Sequence, residues 1–287
     1  MNRTTVCFLT LTMITWFGCG PSEPQSATQS ETPPTEATIR VVHRADIPWE
    51  QLNPARGDQS PLAGTVWGDR QGSVATGFFA KFVDGFSSPP HIHNVTYRAV
   101  VIKGLIHNDD PEAEFMWMPP GSFWTQPVGE AHITAAQGEE NIAYVEIDRG
   151  PYLVKPTSEA FDSGERPVNV DASNVVWLGA SQSEWIAPNC SAELSYLWES
   201  QEQGGVRGLF LKLPPQTQTP LTSEGKDLHL IVAQGSLGYQ QAEVDAPILL
   251  ESASYLGAAG PATLRLSNAG TEDCVLYVRT DGSIGLK

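Results

Sequence analysis

Two stretches of this sequence, GFSSPPHIHNVTYRAVVIKG (85–104) and GSFWTQPVGEAHITAA (121–136), decide how the chain folds. In the first, His91 and His93 are two residues apart, just before a β-branched run that predicts a strand. Side chains at positions i and i+2 of a strand point to the same face, so both imidazoles face the same way. His132, in the second stretch, can lie opposite them on an antiparallel neighbour. The spacing therefore predicts a divalent-metal site of three imidazoles with open coordination positions.

The chain from residue 39 onward has the pattern of an all-β protein. Short apolar or alternating runs are separated by Gly, Pro and Asp, as in TGFFAKFV (76–83) and IAYVEI (142–147). No long segment has helical periodicity, which favours a β-sandwich or β-barrel. With 287 residues, of which 40% are hydrophobic, the chain can bury the core of one large or two ordinary domains.

The sequence also repeats itself at a fixed spacing. Three residues have counterparts 131 positions later: Trp67, Gly77 and Gly104 match Trp198, Gly208 and Gly235. The strand patterns between them correspond as well, so we predict a tandem duplication. The expected domains are residues 39–155 and residues 156–287.

The two histidine stretches resemble the two motifs of the cupin superfamily. The first motif, G-x5-H-x-H-x(3,4)-E-x6-G, is matched by Gly85, His91, His93 and Gly104, with Tyr97 in the place of the Glu. The second, G-x5-P-x-G-x2-H-x3-N, is matched by Gly121, Pro127, Gly129 and His132, with Ala136 in the place of the Asn. The resemblance covers residues 39–287 and is to the ChrR-like, anti-sigma-factor-related cupins. It implies two tandem jelly-roll barrels.

Tyr97 is the departure from the motif that matters most. Cupins commonly bind a metal ion through three His and one Glu, and a neutral phenol with a pKa of about 10 is a poor ligand. We therefore predict one divalent ion held by His91, His93 and His132, with zinc, iron and manganese all left open. Strand parity turns Tyr97 inward, where it either orients or protonates a substrate as a catalytic residue or packs without a chemical role. A site without the carboxylate should favour a small, anionic molecule.

The second copy lacks the candidate ligands. At the repeat spacing, the positions of His91, His93, Tyr97 and His132 are occupied by Thr222, Glu224, Leu228 and Leu264. We therefore expect the second domain to be a structural partner without a metal. His229 has the opposite strand parity and is expected to point away from the interior of its barrel.

The N-terminus reads as a targeting segment. An apolar run over residues 6–17 ends at Gly18 and Cys19, which predicts a lipoprotein signal peptide over residues 1–18 and a lipidated Cys19. Residues 19–38 form a Pro-, Ser- and Thr-rich flexible linker. We expect an exported bacterial lipoprotein of the cell envelope, with an ordinary secretory signal as the alternative.

The remaining cysteines and the net charge limit which covalent bonds and which partners are possible. An exported compartment permits a disulfide between Cys190 and Cys274, which the sequence leaves open. Acidic residues outnumber basic ones by 33 to 17, so the net charge of −16 excludes nucleic acid as a partner. The membrane is contacted only through the lipid anchor, and a homodimer is left open.

Two function classes remain after these exclusions. The first is a metal-dependent enzyme of dioxygenase, isomerase or hydrolase type that acts on a small molecule. The second is a noncatalytic sensor or scaffold that binds a metal ion or a small ligand. An exported protein cannot reach a cytoplasmic sigma factor, so a transcriptional role is rejected.

Overall fold

The computed structural model describes residues 37–200, 205–241 and 246–287. These residues form β-strands joined by loops and four short 3₁₀ helices, which confirms the predicted all-β class. Within these ranges, no helix is long and apolar enough to cross a membrane. The predicted signal peptide, Cys19 and most of the predicted linker lie outside the described residues.

The first half of the described chain contains ten strands and all four 3₁₀ helices. The strands are β1 (Thr38–Val42), β2 (Glu50–Gln51), β3 (Leu62–Trp67), β4 (Thr76–Phe82), β5 (His91–His93), β6 (Tyr97–Asp109), β7 (Phe123–Gln126), β8 (Ile133–Ile147), β9 (Val154–Pro156) and β10 (Val168–Val170). The 3₁₀ helices are Arg44–Asp46, Pro54–Gln59, Thr157–Glu159 and Ala172–Asn174.

The second half adds ten strands. They are β11 (Glu193–Glu199), β12 (Arg207–Leu213), β13 (Thr217–Ser223), β14 (Asp227–Gln234), β15 (Ser236–Gln240), β16 (Ile248–Glu251), β17 (Tyr255–Ala259), β18 (Ala262–Asn268), β19 (Cys274–Thr280) and β20 (Ile284–Leu286).

Each of the two predicted domains supplies one strand to the main sheet of the other. A seven-stranded sheet has the order β10-β7-β6-β8-β4-β3-β2, and a two-stranded sheet pairs β5 with β9. The second half forms a six-stranded sheet, β1-β17-β14-β19-β12-β11, and a five-stranded sheet, β16-β15-β18-β13-β20. Thus β1 pairs with β17 of the second predicted domain, and β10, which follows residue 155, pairs with β7 of the first. The boundary at residues 155/156 stays a prediction, and the pairings of these two strands cross it.

The matched Trp and Gly residues of the duplication meet across neighbouring strands. Trp67 lies opposite Gly77 between β3 and β4, and Trp198 lies opposite Gly208 between β11 and β12. A Cβ atom at either glycine would overlap the indole nitrogen of its tryptophan. Each pair therefore needs a glycine so that the ring can lie flat on the strand, which explains why both residues recur together.

The two large sheets meet around a buried ion pair. Glu146 on β8 lies opposite Gly77 on β4. Arg279 on β19 occupies the equivalent position in the second copy, opposite Gly208 on β12. Glu146 is fully buried and accepts hydrogen bonds from Tyr277 Oη at 2.7 Å, Tyr144 Oη at 3.1 Å and Arg279 Nη1 at 3.1 Å. The two copies thus place opposite charges at equivalent positions, and the charges satisfy each other.

Arg279 is held by a second carboxylate as well. Its Nη2 lies 2.8 Å from Asp148 Oδ1, and Arg98 Nη1 lies 2.7 Å from Asp148 Oδ2. Burial opposes ionisation of Asp148, but the two arginines outweigh it and lower the pKa of that carboxyl. Arg98 also lies over the ring of Trp198 at 3.7 Å. The contact between the copies is therefore a network of charges and aromatic rings rather than an apolar surface alone.

Replacing Arg279 tests this network. Arg279→Met leaves two carboxylates without their buried partner, so we expect the free energy of unfolding to fall by about 3 kcal/mol. The measurement is equilibrium denaturation in urea. Arg166→Met is the matched control, because Arg166 pairs with Asp162 on the surface and its loss should change stability little. Equal effects of the two substitutions would contradict a stabilising role for the buried pair.

Candidate metal centre

The backbone brings two of the three histidines together. His91 and His132 form an antiparallel bridge in which each N–H donates to the carbonyl of the other at 3.0 Å. Directly paired residues of antiparallel strands place their side chains side by side on one face. His93 lies two residues beyond His91 on β5, so all three imidazoles converge, as the sequence spacing predicts.

The rings of His91, His93 and His132 form a compact cluster. Their centroids are 4.3 Å apart for His91 and His132, 5.0 Å for His91 and His93, and 5.2 Å for His93 and His132. One nitrogen from each ring lies within 4.8 Å of the other two. His93 and His132 are buried, and His91 is half-buried. This is a donor set for one divalent ion with an accessible side.

Backbone carbonyls fix the orientation of all three rings. The Nδ1 atom of His91 lies 2.9 Å from Pro89 O, that of His93 lies 3.1 Å from Leu153 O, and that of His132 lies 3.2 Å from Glu130 O. A carbonyl oxygen only accepts, so each Nδ1 carries the proton. The lone pair of each ring is then on Nε2. Metal-binding histidines are commonly held in this way, with one ring nitrogen donating to a carbonyl and the other facing the ion.

Burial keeps these histidines neutral. It lowers the pKa of His91, although the Pro89 carbonyl opposes the shift. Burial and the neighbouring histidines lower the pKa of His93 well below its usual value. Burial, with a smaller effect of His91, lowers the pKa of His132 to about 3. Neutral imidazoles are the form that binds metal ions.

Tyr97 points into the site, as its strand parity predicts. Its hydroxyl donates to Asn108 Oδ1 at 2.8 Å and lies 3.4 Å from His132 Nε2. Thr134 Oγ1 donates to the same oxygen of Asn108. The amide nitrogen of Asn108 in turn donates to Gln126 Oε1. Burial raises the pKa of Tyr97, so its phenol stays protonated and remains a hydrogen-bond donor.

Tyr152 is a site residue that the sequence did not reveal. Its hydroxyl lies 3.2 Å from His93 Nε2, and its ring stacks on His93 with centroids 4.4 Å apart. It comes from the segment just before β9, which pairs with β5. Neither motif includes this segment, so only the β5–β9 pairing identifies Tyr152.

A cavity of about 790 Å³ opens beside the histidine cluster. His91, His93 and Tyr97 line it together with Tyr152 and Thr134. Its volume is within the range of small-molecule sites. A molecule in this cavity would lie against the histidine cluster.

The second barrel has leucines at the corresponding place. Leu221 and Leu264 face each other between β13 and β18, and both are buried in the core of that barrel with Leu228. Leu264 and Leu228 are thus where the repeat places them, but the buried residue opposite Leu264 is Leu221. The repeat spacing had instead placed Thr222 at the position equivalent to His91. In the structure, Thr222 is the neighbour of Leu221 and lies opposite Thr263.

His229 points away from its own barrel, as predicted. Its ring stacks on Trp67 at 4.0 Å, and its Nδ1 lies 2.9 Å from the Tyr255 hydroxyl. It is therefore part of the contact between the copies and has no role at the histidine cluster. His43 is exposed and His107 is buried beside Phe115, so neither joins the cluster.

Cys190 and Cys274 are both free thiols in the structure. Cys190 Sγ lies 3.6 Å from Thr219 Oγ1, whereas Cys274 is fully buried in the core of the second barrel. Burial, and to a smaller extent Asp273, raises the pKa of Cys274 to about 12. The disulfide that the sequence left open is therefore not formed in this structure.

Comparisons with known proteins agree with this fold. The sequence matches the family model described as Domain of unknown function (DUF4437) over residues 40–287. No curated protein matches the sequence. Among solved structures, a candidate dioxygenase from Nostoc punctiforme superposes with a TM-score of 0.66 and 15% identity, covering 85% of this chain and 83% of that chain.

Two enzymes of known activity are also similar. Salicylate 1,2-dioxygenase from Pseudoaminobacter salicylatoxidans has a TM-score of 0.57 and 12% identity, covering 90% of this chain and 87% of that chain. Oxalate decarboxylase from Lactobacillus farciminis has a TM-score of 0.55 and 10% identity, covering 87% and 88%. These likenesses confirm the predicted fold, which is all-β with two tandem cupin-type barrels, whereas membership of the cupin superfamily stays a prediction. The narrower resemblance to ChrR-like cupins stays a prediction.

Removing two of the three imidazoles tests the ligand set. We expect the double substitution His91→Ala and His93→Ala to reduce bound metal from about one ion per chain to a small fraction, because a single imidazole holds an ion weakly. Elemental analysis of the purified protein measures this. His43→Ala is the matched control, since His43 is exposed and lies outside the cluster. Unchanged metal content in the double variant would show that the ion is bound elsewhere.

Proposed function

The chain belongs to the DUF4437 family, and we propose that it is a metal-dependent bicupin that acts on a small molecule. In this proposal His91, His93 and His132 hold one divalent ion, and the molecule binds in the adjoining cavity. The second barrel is a structural partner, whose leucine core has no ligand at the corresponding place.

The convergence of three oriented imidazoles on one side of a cavity carries the proposal. Each Nδ1 is held by a backbone carbonyl, so the three lone pairs belong to the Nε2 atoms. This arrangement is the one expected of a metal site. In a cluster of histidines without a metal ion, the ring nitrogens would instead hydrogen-bond to each other. Imidazole donors favour zinc and iron over manganese, and the identity of the ion is left open among the three.

The two tyrosines are the polar groups nearest to the ligand nitrogens. Tyr97 lies against His132 Nε2 and Tyr152 lies against His93 Nε2. A bound ion would occupy those lone pairs and supply Lewis-acid or redox chemistry. Tyr152 would then have to find another acceptor, and an oxygen atom of a substrate in the cavity is the nearest candidate. Tyr97 would keep Asn108 as its acceptor and lines the same cavity. We therefore assign Tyr97 and Tyr152 to orienting the substrate.

An oxygen-dependent reaction is the type that we favour. Among the described residues that line the cavity there is no Asp or Glu, so a carboxylate general base of the kind used in hydrolysis or isomerisation is not at hand. The neighbours from Nostoc punctiforme and Pseudoaminobacter salicylatoxidans, described as a candidate and an established dioxygenase, support the same choice. Iron or manganese is then the expected ion, whereas the noncatalytic alternative predicts zinc.

Metal content and oxygen uptake, measured on the same sample, test the proposed activity. We expect iron or manganese in the purified protein and oxygen uptake on addition of a substrate. Tyr97→Phe should lower the turnover about tenfold or more while the metal content is unchanged, because only the hydroxyl is lost. Tightly held zinc without oxygen uptake would instead establish the noncatalytic binding module.

We also propose that the protein is an exported lipoprotein of the cell envelope. The support is the apolar run over residues 6–17, the small residue before Cys19 and the polar linker that follows. Two or three acyl chains on one cysteine anchor a protein stably, and a linker lets the barrels stand clear of the membrane.

Metabolic labelling with palmitate tests the anchor. We expect the label in the wild-type protein and none in Cys19→Ala, since the lipid is attached to that thiol. Cys190→Ala is the control and should stay labelled. Label that persists in Cys19→Ala would refute the lipoprotein assignment. Absence of label from the wild-type protein as well would favour an ordinary secretory signal.

A further inference from the structure

The cavity beside the histidines has a charge opposite to that of the whole protein. The chain carries 33 acidic and 17 basic residues. Yet Arg56 and Arg70 line the cavity, and no acidic side chain does so within the part of the chain that the structure describes. A cavity with this lining attracts an anion into a protein whose surface otherwise repels one.

Arg70 has hydrogen-bonding capacity to spare inside the protein. Its side chain is only 11% exposed, and its Nε atom is buried without a hydrogen-bond partner. Its Nη2 donates to Glu50, a residue that is mostly exposed, so this pair lies towards solvent. Arg70 also lies over the ring of Phe78 at 5.7 Å, which orients its guanidinium.

Arg56 adds a second positive charge. It lies over the ring of Phe86 at 5.1 Å, and its Nη2 is 3.4 Å from the carbonyl of Ser87. No carboxylate lies within ion-pair distance of Arg56 among residues 37–200, 205–241 and 246–287. Its charge is therefore available to a ligand in the cavity.

The rest of the lining is mostly apolar and includes six aromatic residues. The aromatic residues of the cavity are Phe78, Phe82, Phe86, Tyr97, Trp124 and Tyr152. Flat rings prefer edge-to-face and offset contacts with other rings. The wall therefore suits a planar, apolar body better than a flexible or strongly polar one.

We propose that the cavity takes a small aromatic carboxylate, with Arg70 as the partner of the carboxylate and Arg56 as a second cation at the same cavity. The inference rests on the proposed function in that it names the ligand class of the same site. The guanidinium of Arg70 lines the cavity, and a guanidinium can donate to the two oxygens of a carboxylate. The aromatic lining packs on the body of the ligand.

Binding of three probes separates charge from shape. Benzoate carries both features, benzamide lacks the charge, and acetate lacks the ring. Isothermal titration calorimetry on the purified protein should give benzoate an affinity at least about tenfold higher than that of either benzamide or acetate. Equal affinity for benzoate and benzamide would overturn the proposal, as would equal affinity for benzoate and acetate.

Substitution of Arg70 then locates the carboxylate. Arg70→Gln should weaken benzoate about tenfold and leave benzamide unchanged. Arg207→Gln is the matched control, because Arg207 likewise lies over a ring, Trp185, and pairs with a glutamate, Glu199, but in the second barrel. Glu50→Gln removes the competing acid and should leave benzoate binding equal or tighter. Unchanged benzoate affinity in Arg70→Gln would refute the role of Arg70.

A second variant is used if Arg70→Gln does not fold. If Arg70→Gln loses cooperative thermal unfolding, Arg70→Lys replaces it, since it keeps the charge and loses the planar guanidinium that can donate to both carboxylate oxygens. We expect benzoate binding by Arg70→Lys to weaken severalfold, and wild-type affinity would count against the proposal.

The same titrations distinguish this inference from the proposed function. They are repeated after the metal is removed with a chelator, and the metal content is measured in parallel. Benzoate binding that depends on Arg70 in a protein that holds no metal as purified and takes up none on reloading would support this inference and refute the metal site. Benzoate binding that is lost with the metal and unaffected by Arg70→Gln would place the carboxylate at the metal, and would refute this inference alone.

Discussion

The antiparallel backbone pair between His91 and His132 is the constraint on which the candidate site depends. Two reciprocal hydrogen bonds of 3.0 Å hold these residues opposite each other. The strand period then places His93 on the same side, and carbonyl oxygens turn each Nδ1 outward from the cluster. A site built in this way is formed by the fold before any ligand arrives.

The duplication explains how one barrel supports the other. Glu146 and Arg279 hold equivalent registers opposite matched glycines, and they carry opposite charges. Two identical copies would bring like charges together at this place, which a buried setting does not tolerate. The exchange of β1 and β10 between the main sheets ties the copies further. The second barrel has a leucine core at the place of the histidines, which leaves it a structural partner to the first.

Much of this arrangement could be predicted from local patterns. The H-x-H spacing, the turn glycines and the recurrence of Trp and Gly all depend on the period of a strand or on close backbone approach, which a sequence displays directly. Arg70 and Tyr152 could not be found in this way. They reach the cavity through pairings between distant segments, such as β5 with β9. The exchange of β1 and β10 escaped prediction for the same reason, and Thr222 was chosen over Leu221 because a repeat spacing does not fix a strand register to one residue.

The central claim is that one ion binds between the Nε2 atoms of His91, His93 and His132. Anomalous X-ray diffraction from crystals of the metal-loaded protein, measured on both sides of the absorption edge of the bound metal, tests it most directly. The account predicts a single strong peak at about 2.0–2.2 Å from each of the three Nε2 atoms. A peak at another place, or coordination through Nδ1 with the backbone contacts broken, would contradict it.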